Sequence, residues 1–314
     1  MRESRSAPLE FVKQALDDEP APPTAEELAA SREAAFEFVQ QLARDLSDGK
    51  FELPPFPDIA LRVREALNDP DVSVEKIARI VLSEPVLAAR LLRIANSALM
   101  RRGATEITDV KTAIARLGFE MVRNAAVALA LDSTFKAPDS GPLRQHIERT
   151  RHHSVRVAVL SYVLARRLAK DSVKPDEAML AGLLHGIGRF YILMRVDAFP
   201  TLFGHRDVLE DLLAQWHSGV GRAIVESWGF PEPVATAVDE HEVLDREHVG
   251  KADLADVVLA ANLLARRATP EQAAGAELAT VPACVKLGLD ESVAVGVLVE
   301  SEEEIRSMSQ ALGS

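Results

Sequence analysis

The amino-acid sequence predicts an all-α protein, and three observations carry that prediction. Hydrophobic residues make up 47% of the chain but aromatics only 5%, with Ala, Leu and Arg abundant, a composition that favours helix over strand. Apolar residues recur near helical spacing, as in Leu28, Phe36, Val39, Leu42 and Leu46. The stretches so marked are bounded by helix-starting Ser, Thr or Pro and by helix-ending Gly or Asn. At 314 residues the chain is long enough for one extended domain or two lobes.

Residues 1–23 combine charge with Pro20, Pro22 and Pro23 and read as a flexible arm holding at most a short helix, Leu9 to Leu16. Residues 24–49 read as a helix: Thr24 and Glu27 have capping-box form, and Asp48-Gly49 ends it. This helix is expected to pack back on the core. Pro54, Pro55 and Pro57 force extended backbone inside the opening of a first helical block, residues 50–135. Ile59, Leu61, Val63 and Leu67 mark a helix ending at Asn68-Asp69-Pro70, Ser73 caps Val74 to Ser83, and Pro85 starts the next helix. Thr108 is placed to cap a helix through Leu117, Gly118 to end it, and Asn124 to Leu131 reads as buried helix. A connector, Pro138 to Pro142, leads into a second helical block, residues 143–268. Residues 269–314 form a C-terminal extension whose acidic helix, with Glu300, Glu302, Glu303 and Glu304, is expected as solvated surface.

The single cysteine, Cys284, excludes an intramolecular disulfide, and residues 1–20 carry charge throughout instead of an apolar signal core. A cytoplasmic location is therefore expected. Apolar runs such as Ala125 to Leu131 fall short of the roughly 18 residues a membrane-spanning helix needs, so no span is expected. A formal net charge of -12 repels phosphate backbones, and the pairs Arg101-Arg102, Arg166-Arg167 and Arg266-Arg267 are scattered, so nucleic acid is not an expected partner. His153, His185 and His217 fall at equal intervals, but their flanks share no period and mark no repeat.

Several segments follow one another in a recognisable order: Leu53-Pro54-Pro55-Phe56-Pro57, Ser83-Glu84-Pro85, Leu91-Leu92-Arg93-Ile94-Ala95-Asn96-Ser97-Ala98, Ala113-Ile114 and Leu117-Gly118. The second block continues with Ala181-Gly182-Leu183-Leu184-His185-Gly186-Ile187-Gly188-Arg189, then His217, Trp228-Gly229-Phe230-Pro231 and His241. Together they resemble the HDOD family over residues 50–268. That resemblance implies a two-lobed multi-helical fold whose C-terminal lobe is similar to the HD phosphohydrolases, where a His, a His-Asp pair and a later Asp hold a divalent metal. By the same comparison His153 takes the first ligand place and His185 the second, while Gly186 and Asn262 stand where the two aspartates belong. Glu242 stands where HD-GYP relatives have the second histidine of a pair.

Hydrolysis of a phosphate ester needs a metal that activates water, and a two-metal centre needs an anionic bridge. Glycine has no side chain and an asparagine amide is neutral, so no catalytic residue, cofactor or metal is expected. The remnant HD site comprises His153, His185, Gly186, His217, His241, Glu242 and Asn262. Two readings of its histidines stay open. They are crevice residues hydrogen-bonded to backbone or to Asn262, or else His153, His185, His217 and His241, with Glu242, hold a zinc. Of tandem His152 and His153, whose side chains diverge by about 100° on a helix, only one can face the site.

Glu84-Pro85 is expected to cap and start a helix, and Asn96-Ser97 to end one or to anchor the groove between lobes. Trp228-Gly229-Phe230-Pro231 reads as a helix end with a buried aromatic plug. The resemblance implies a non-catalytic bacterial signalling domain that binds a protein partner or small ligand, with cyclic-dinucleotide systems among its settings. The alternative is a metal-dependent phosphohydrolase working through the histidines. Oligomeric state is open.

Overall fold

The computed structural model describes residues 24–47, 54–101, 105–196, 198–267 and 278–313; the arm at 1–23 lies outside them. Local chemistry sets where the helices begin. In α1 (Ala25–Ser47), the Thr24 hydroxyl accepts from the Glu27 amide at 3.2 Å while the Glu27 carboxylate accepts from the Thr24 amide at 2.8 Å, the reciprocal capping box that the sequence pattern predicts. The first block then runs through α2 (Asp58–Leu67), α3 (Val74–Leu82), α4 (Pro85–Asn96), α5 (Ala98–Arg101), α6 (Val110–Leu117) and α7 (Phe119–Thr134).

Two cap assignments differ from expectation. The cap of α6 is Asp109, not Thr108: its Oδ1 accepts from the Thr112 amide at 2.8 Å, and a carboxylate also suits the positive end of the helix dipole. Pro85 starts α4, yet the Glu84 side chain makes no capping bond and instead lies 3.6 Å from Arg62. Asn96 exchanges two hydrogen bonds with the Ile107 backbone, at 2.7 and 2.8 Å, and Ser97 Oγ donates to the Ile94 carbonyl at 2.7 Å. Both residues thus act locally, tying the end of α4 to the approach to α6.

The second block comprises α8 (Pro142–Leu168), α9 (Pro175–Leu184), α10 (Ile187–Val196), α11 (Arg206–Ser227), α12 (Glu232–Glu240) and α13 (Leu254–Ala265). Helix α8 is its axis, with α9, α10 and α13 packed round it. Residues 178–184 of α9 and all but one residue of α13 are buried, which is why these stretches are largely apolar all round rather than along one stripe. The stretch Pro175–Val196 is, contrary to expectation, long and apolar enough to cross a membrane, but 83% of its most apolar 18-residue window is buried within the fold and a turn breaks it at His185-Gly186.

The two blocks meet at an aromatic joint. Trp228 Nε1 donates to the Pro54 carbonyl at 2.7 Å, the Phe56 ring lies 5.2 Å from Trp228 and 5.8 Å from Phe230, and the Arg64 guanidinium stands over Phe56 while donating to the Trp228 carbonyl. The extension closes the molecule through α14 (Pro282–Leu287), α15 (Glu291–Glu300) and α16 (Glu302–Leu312). Its last helix is not merely solvated surface. Ile305, Met308, Ala311 and Leu312 bury one face against α4, α5 and α8, and Glu304 pairs with Arg166 at 2.5 Å. The fold class is all-α, with no strand among the described residues.

Helices α10 and α11 pack unusually closely because Gly188 has no side chain. A Cβ there would stand 1.9 Å from the His217 carbonyl oxygen and 2.7 Å from the Gly221 nitrogen, both backbone atoms that cannot swing aside. Gly219, also on α11, faces open space. Gly188→Ala is therefore expected to cost more than about 4 kcal/mol or to prevent folding, whereas Gly219→Ala should stabilise by about 0.5–1 kcal/mol. Urea denaturation of the two variants checks the contrast.

Candidate functional site

The histidines converge where α8, α11 and α13 meet the ends of α9 and α12. His153 lies on α8, His185 caps α9, His217 sits within α11, His241 caps α12, and Asn262 lies on α13. Ring centroids run in a chain: His153 to His185 5.4 Å, His185 to His241 4.9 Å, His241 to His217 5.1 Å. His185, His217 and His241 are each buried, while His152 is exposed and faces away.

Three of these rings are oriented by their own helices. Nδ1 of His185 lies 2.7 Å from the Gly182 carbonyl, Nδ1 of His217 2.6 Å from that of Leu213, and Nδ1 of His241 2.7 Å from that of Val238. A carbonyl oxygen only accepts, so each Nδ1 carries the hydrogen and each neutral ring presents an Nε2 lone pair to the site. Burial holds the His185 ring well below the ordinary imidazole value, aided by neighbouring His241 and His153, and pushes His241 down to about 3 with help from His217. Burial likewise lowers His217. The consequence is an electrostatic mismatch: Nε2 of His217 and Nε2 of His241 face each other at 3.1 Å, two lone pairs with no hydrogen between them. A proton or a cation relieves it.

His153 is used differently. Its Nε2 lies 2.8 Å from Asn262 Oδ1, while Asn262 Nδ2 donates to the His241 carbonyl at 3.3 Å. The second bond fixes the amide, since a flipped Asn262 would set oxygen against oxygen. His153 Nε2 must then be a donor, and its lone pair is withdrawn from the site.

A side chain at Gly186 would require the Ser154 hydroxyl to turn aside. A Cβ would stand 2.6 Å from Ser154 Oγ, a buried hydroxyl with no hydrogen-bond partner among the described residues. Ser154 was not singled out by sequence, because nothing marks a serine beside a histidine until α8 is set against α9. Beyond it opens a cavity of about 500 Å³, bordered by Arg189 and Arg266, which pair with Glu210 (2.6 Å) and Glu242 respectively. Its charges are balanced on its own walls.

The residues fit one cation better than two. Ligand atoms of His217, His241 and Glu242 lie within 4.8 Å of one another, and 3.1 Å between the two Nε2 atoms is near the roughly 3.3 Å that separates two nitrogens on a tetrahedral zinc. Glu242 Oε1 stands 3.7 Å from His217 Nε2 and 3.8 Å from His241 Nε2. For a second ion there is no bridging carboxylate, as positions 186 and 262 supply none. A further cluster, His248, Asp253 and Asp256, carries no mark in the sequence. There His248 Nε2 lies 2.7 Å from buried Asp256, and the Arg246 guanidinium binds Asp253 and Asp256 at 2.7 and 2.8 Å, already supplying the cluster's positive charge.

The HDOD domain model matches residues 53–244. Among solved structures, a provisionally named metal-dependent phosphohydrolase of Shewanella amazonensis SB2B is 24% identical, with a TM-score of 0.76, over 89% of this chain and 99% of that one. An HDOD domain protein of unknown function from Geobacter sulfurreducens is 27% identical, with a TM-score of 0.61, over 87% and 97% of the two chains. A curated, uncharacterized protein of Treponema pallidum (strain Nichols) is 23% identical over 240 residues, which are 72% of this chain; the match spans only 44% of that relative's length.

The depressed imidazoles predict acid sensitivity. A buried histidine whose folded value lies below its unfolded value of 6.5 stabilises fully above pH 6.5 and loses that contribution as pH falls toward the folded value. His241 alone should remove about 2 kcal/mol between pH 7 and pH 5, a window above ordinary carboxylate titration. Urea midpoints across that window check it, with His241→Gln expected to flatten the slope.

Proposed function

The chain belongs to the HDOD domain family, and on that premise we propose that it is a non-hydrolytic regulatory domain, cytoplasmic, that signals by binding a protein partner or small ligand. One observation chiefly supports the reading: Asn262 takes the place of a metal-binding carboxylate and engages His153 Nε2 at 2.8 Å, so the nitrogen that would begin a ligand set is spent as a hydrogen-bond donor. Gly186 adds to it, since it has no side chain to offer a ligand and the Ser154 hydroxyl lies against it. Without those two anions a pair of divalent ions would stand close together with nothing between them to offset their repulsion. The cavity of about 500 Å³ beside His185 is of a size for a small ligand, and its Arg189 and Glu210 walls offer both signs of charge.

A second reading, a metal-dependent hydrolase, is favoured by the 3.1 Å approach of His217 Nε2 to His241 Nε2. His217, His241 and Glu242 would hold a single cation, which when bound supplies Lewis acidity and an acidified water. The chain's own part would be to keep both Nδ1 atoms protonated through the Leu213 and Val238 carbonyls, and to steer Glu242 with Arg266. No residue on this list replaces the missing bridge.

Elemental analysis of protein purified without a histidine tag, with turnover assays on cyclic dinucleotides and nucleotides under added Mn²⁺ or Zn²⁺, separates the two. The regulatory reading expects no turnover in any condition. Stoichiometric metal together with hydrolysis that His185→Ala abolishes would overturn it.

A further inference from the structure

Helix α1 buries Ser31, Phe38 and Leu42 where it packs on α11 and on the 3-10 turn Pro200–Gly204, with Phe38 edge-on to Phe199 at 5.7 Å. One step round the helix, Leu28, Phe36 and Val39 face Val208 and Trp216 of α11 across an open groove of about 480 Å³. Phe36 is 63% exposed, so one surface carries both a large apolar knob and, beside it, a hollow with apolar walls. Charge is divided between the walls in the same way. Arg32 stands on the α1 wall, while Asp207 and Asp211, one turn apart, stand on the α11 wall. All three are exposed, and none of them makes an ion pair among the described residues.

We propose that this groove pairs two copies of the chain about a two-fold axis running along its length. A half-turn about that line lays the α1 wall of each copy over the α11 wall of the other, and an isologous contact repeats every such pairing twice. Phe36 of each copy then enters the groove of the second beside Trp216, and Arg32 of each meets the second copy's Asp207 and Asp211. The axis at right angles to the groove would instead set α1 on α1 and the acidic wall on itself, which like charge opposes. What argues for a second copy is self-complementarity. Knob and hollow, cation and carboxylates lie on one surface, each unmatched within its own chain and each matched by the same surface turned over.

Sedimentation velocity on the full chain reads the outcome. Wild type is expected to pass from monomer toward dimer as concentration rises, with Trp216 emission moving to shorter wavelength in step, while the chain's second tryptophan, Trp228, is buried at the aromatic joint and stays constant. Phe36→Asp should raise the dissociation constant about 30-fold or more. Arg32→Asp and Asp207→Arg, each of which brings like charges together, should each raise it about tenfold or more. An equimolar mixture of those two variants should regain wild-type association as a one-to-one heterodimer, seen by native mass spectrometry. Asp207 is chosen over Asp211 because Asp211 also borders the cavity beside His185. The three substituted positions are exposed, so helical circular dichroism should be unchanged in every variant. A wild type that stays monomeric at all concentrations would overturn the proposal, as would a dimer indifferent to these substitutions or a pair of charge variants that stay apart when mixed.

Discussion

Everything at the centre of this molecule depends on a backbone carbonyl taking the hydrogen from a buried imidazole. His185, His217 and His241 each use the carbonyl three or four residues earlier in the same helix, so the ring's orientation follows from the helix itself and needs no neighbouring carboxylate. Once the Nδ1 hydrogen is placed there, the lone pairs must converge, and burial keeps them uncharged. The rings are ordered before any question of ligand arises.

Convergent lone pairs beside one carboxylate, Glu242, make a centre matched to one cation rather than two. Three imidazoles present nitrogen to a common space, but the residues that would complete a two-ion site are a glycine backed by a serine hydroxyl and an asparagine turned to His153. Two contacts define the space: Ser154 Oγ lies against the backbone of Gly186, and Asn262 accepts from the His153 ring while donating to the His241 carbonyl. The paired charges of Arg189 with Glu210 and of Arg266 with Glu242 leave its border neutral on balance.

Much of this was legible in the sequence, for local reasons. The Thr24 and Glu27 pair, Ser73, Pro85 and Gly118 mark helix ends through interactions within one turn, and the structure uses them as read, apart from the shift of one cap to Asp109 and the lack of a capping bond from Glu84. The gathering of His153, His185, His217, His241, Glu242 and Asn262 followed from resemblance, not from spacing, since they come from five separate helices. What stayed hidden is tertiary. Ser154 matters only because α9 ends against it, Arg246 only because a loop folds its guanidinium onto Asp253 and Asp256, and the acidic appearance of residues 300–304 concealed the apolar face of Ile305, Met308 and Leu312 that closes α16 on the core.

The contact at Gly188 ties these parts together mechanically. With bare backbone against bare backbone, α10 and α11 have almost no compliance between them, and Gly188 stands three residues from His185 while its partner is the carbonyl of His217 itself. Movement of α11 toward α10 is therefore resisted within three residues of His185, at the carbonyl of His217 itself. The separation of these two imidazoles is thus set by main chain, not by side chains that could repack.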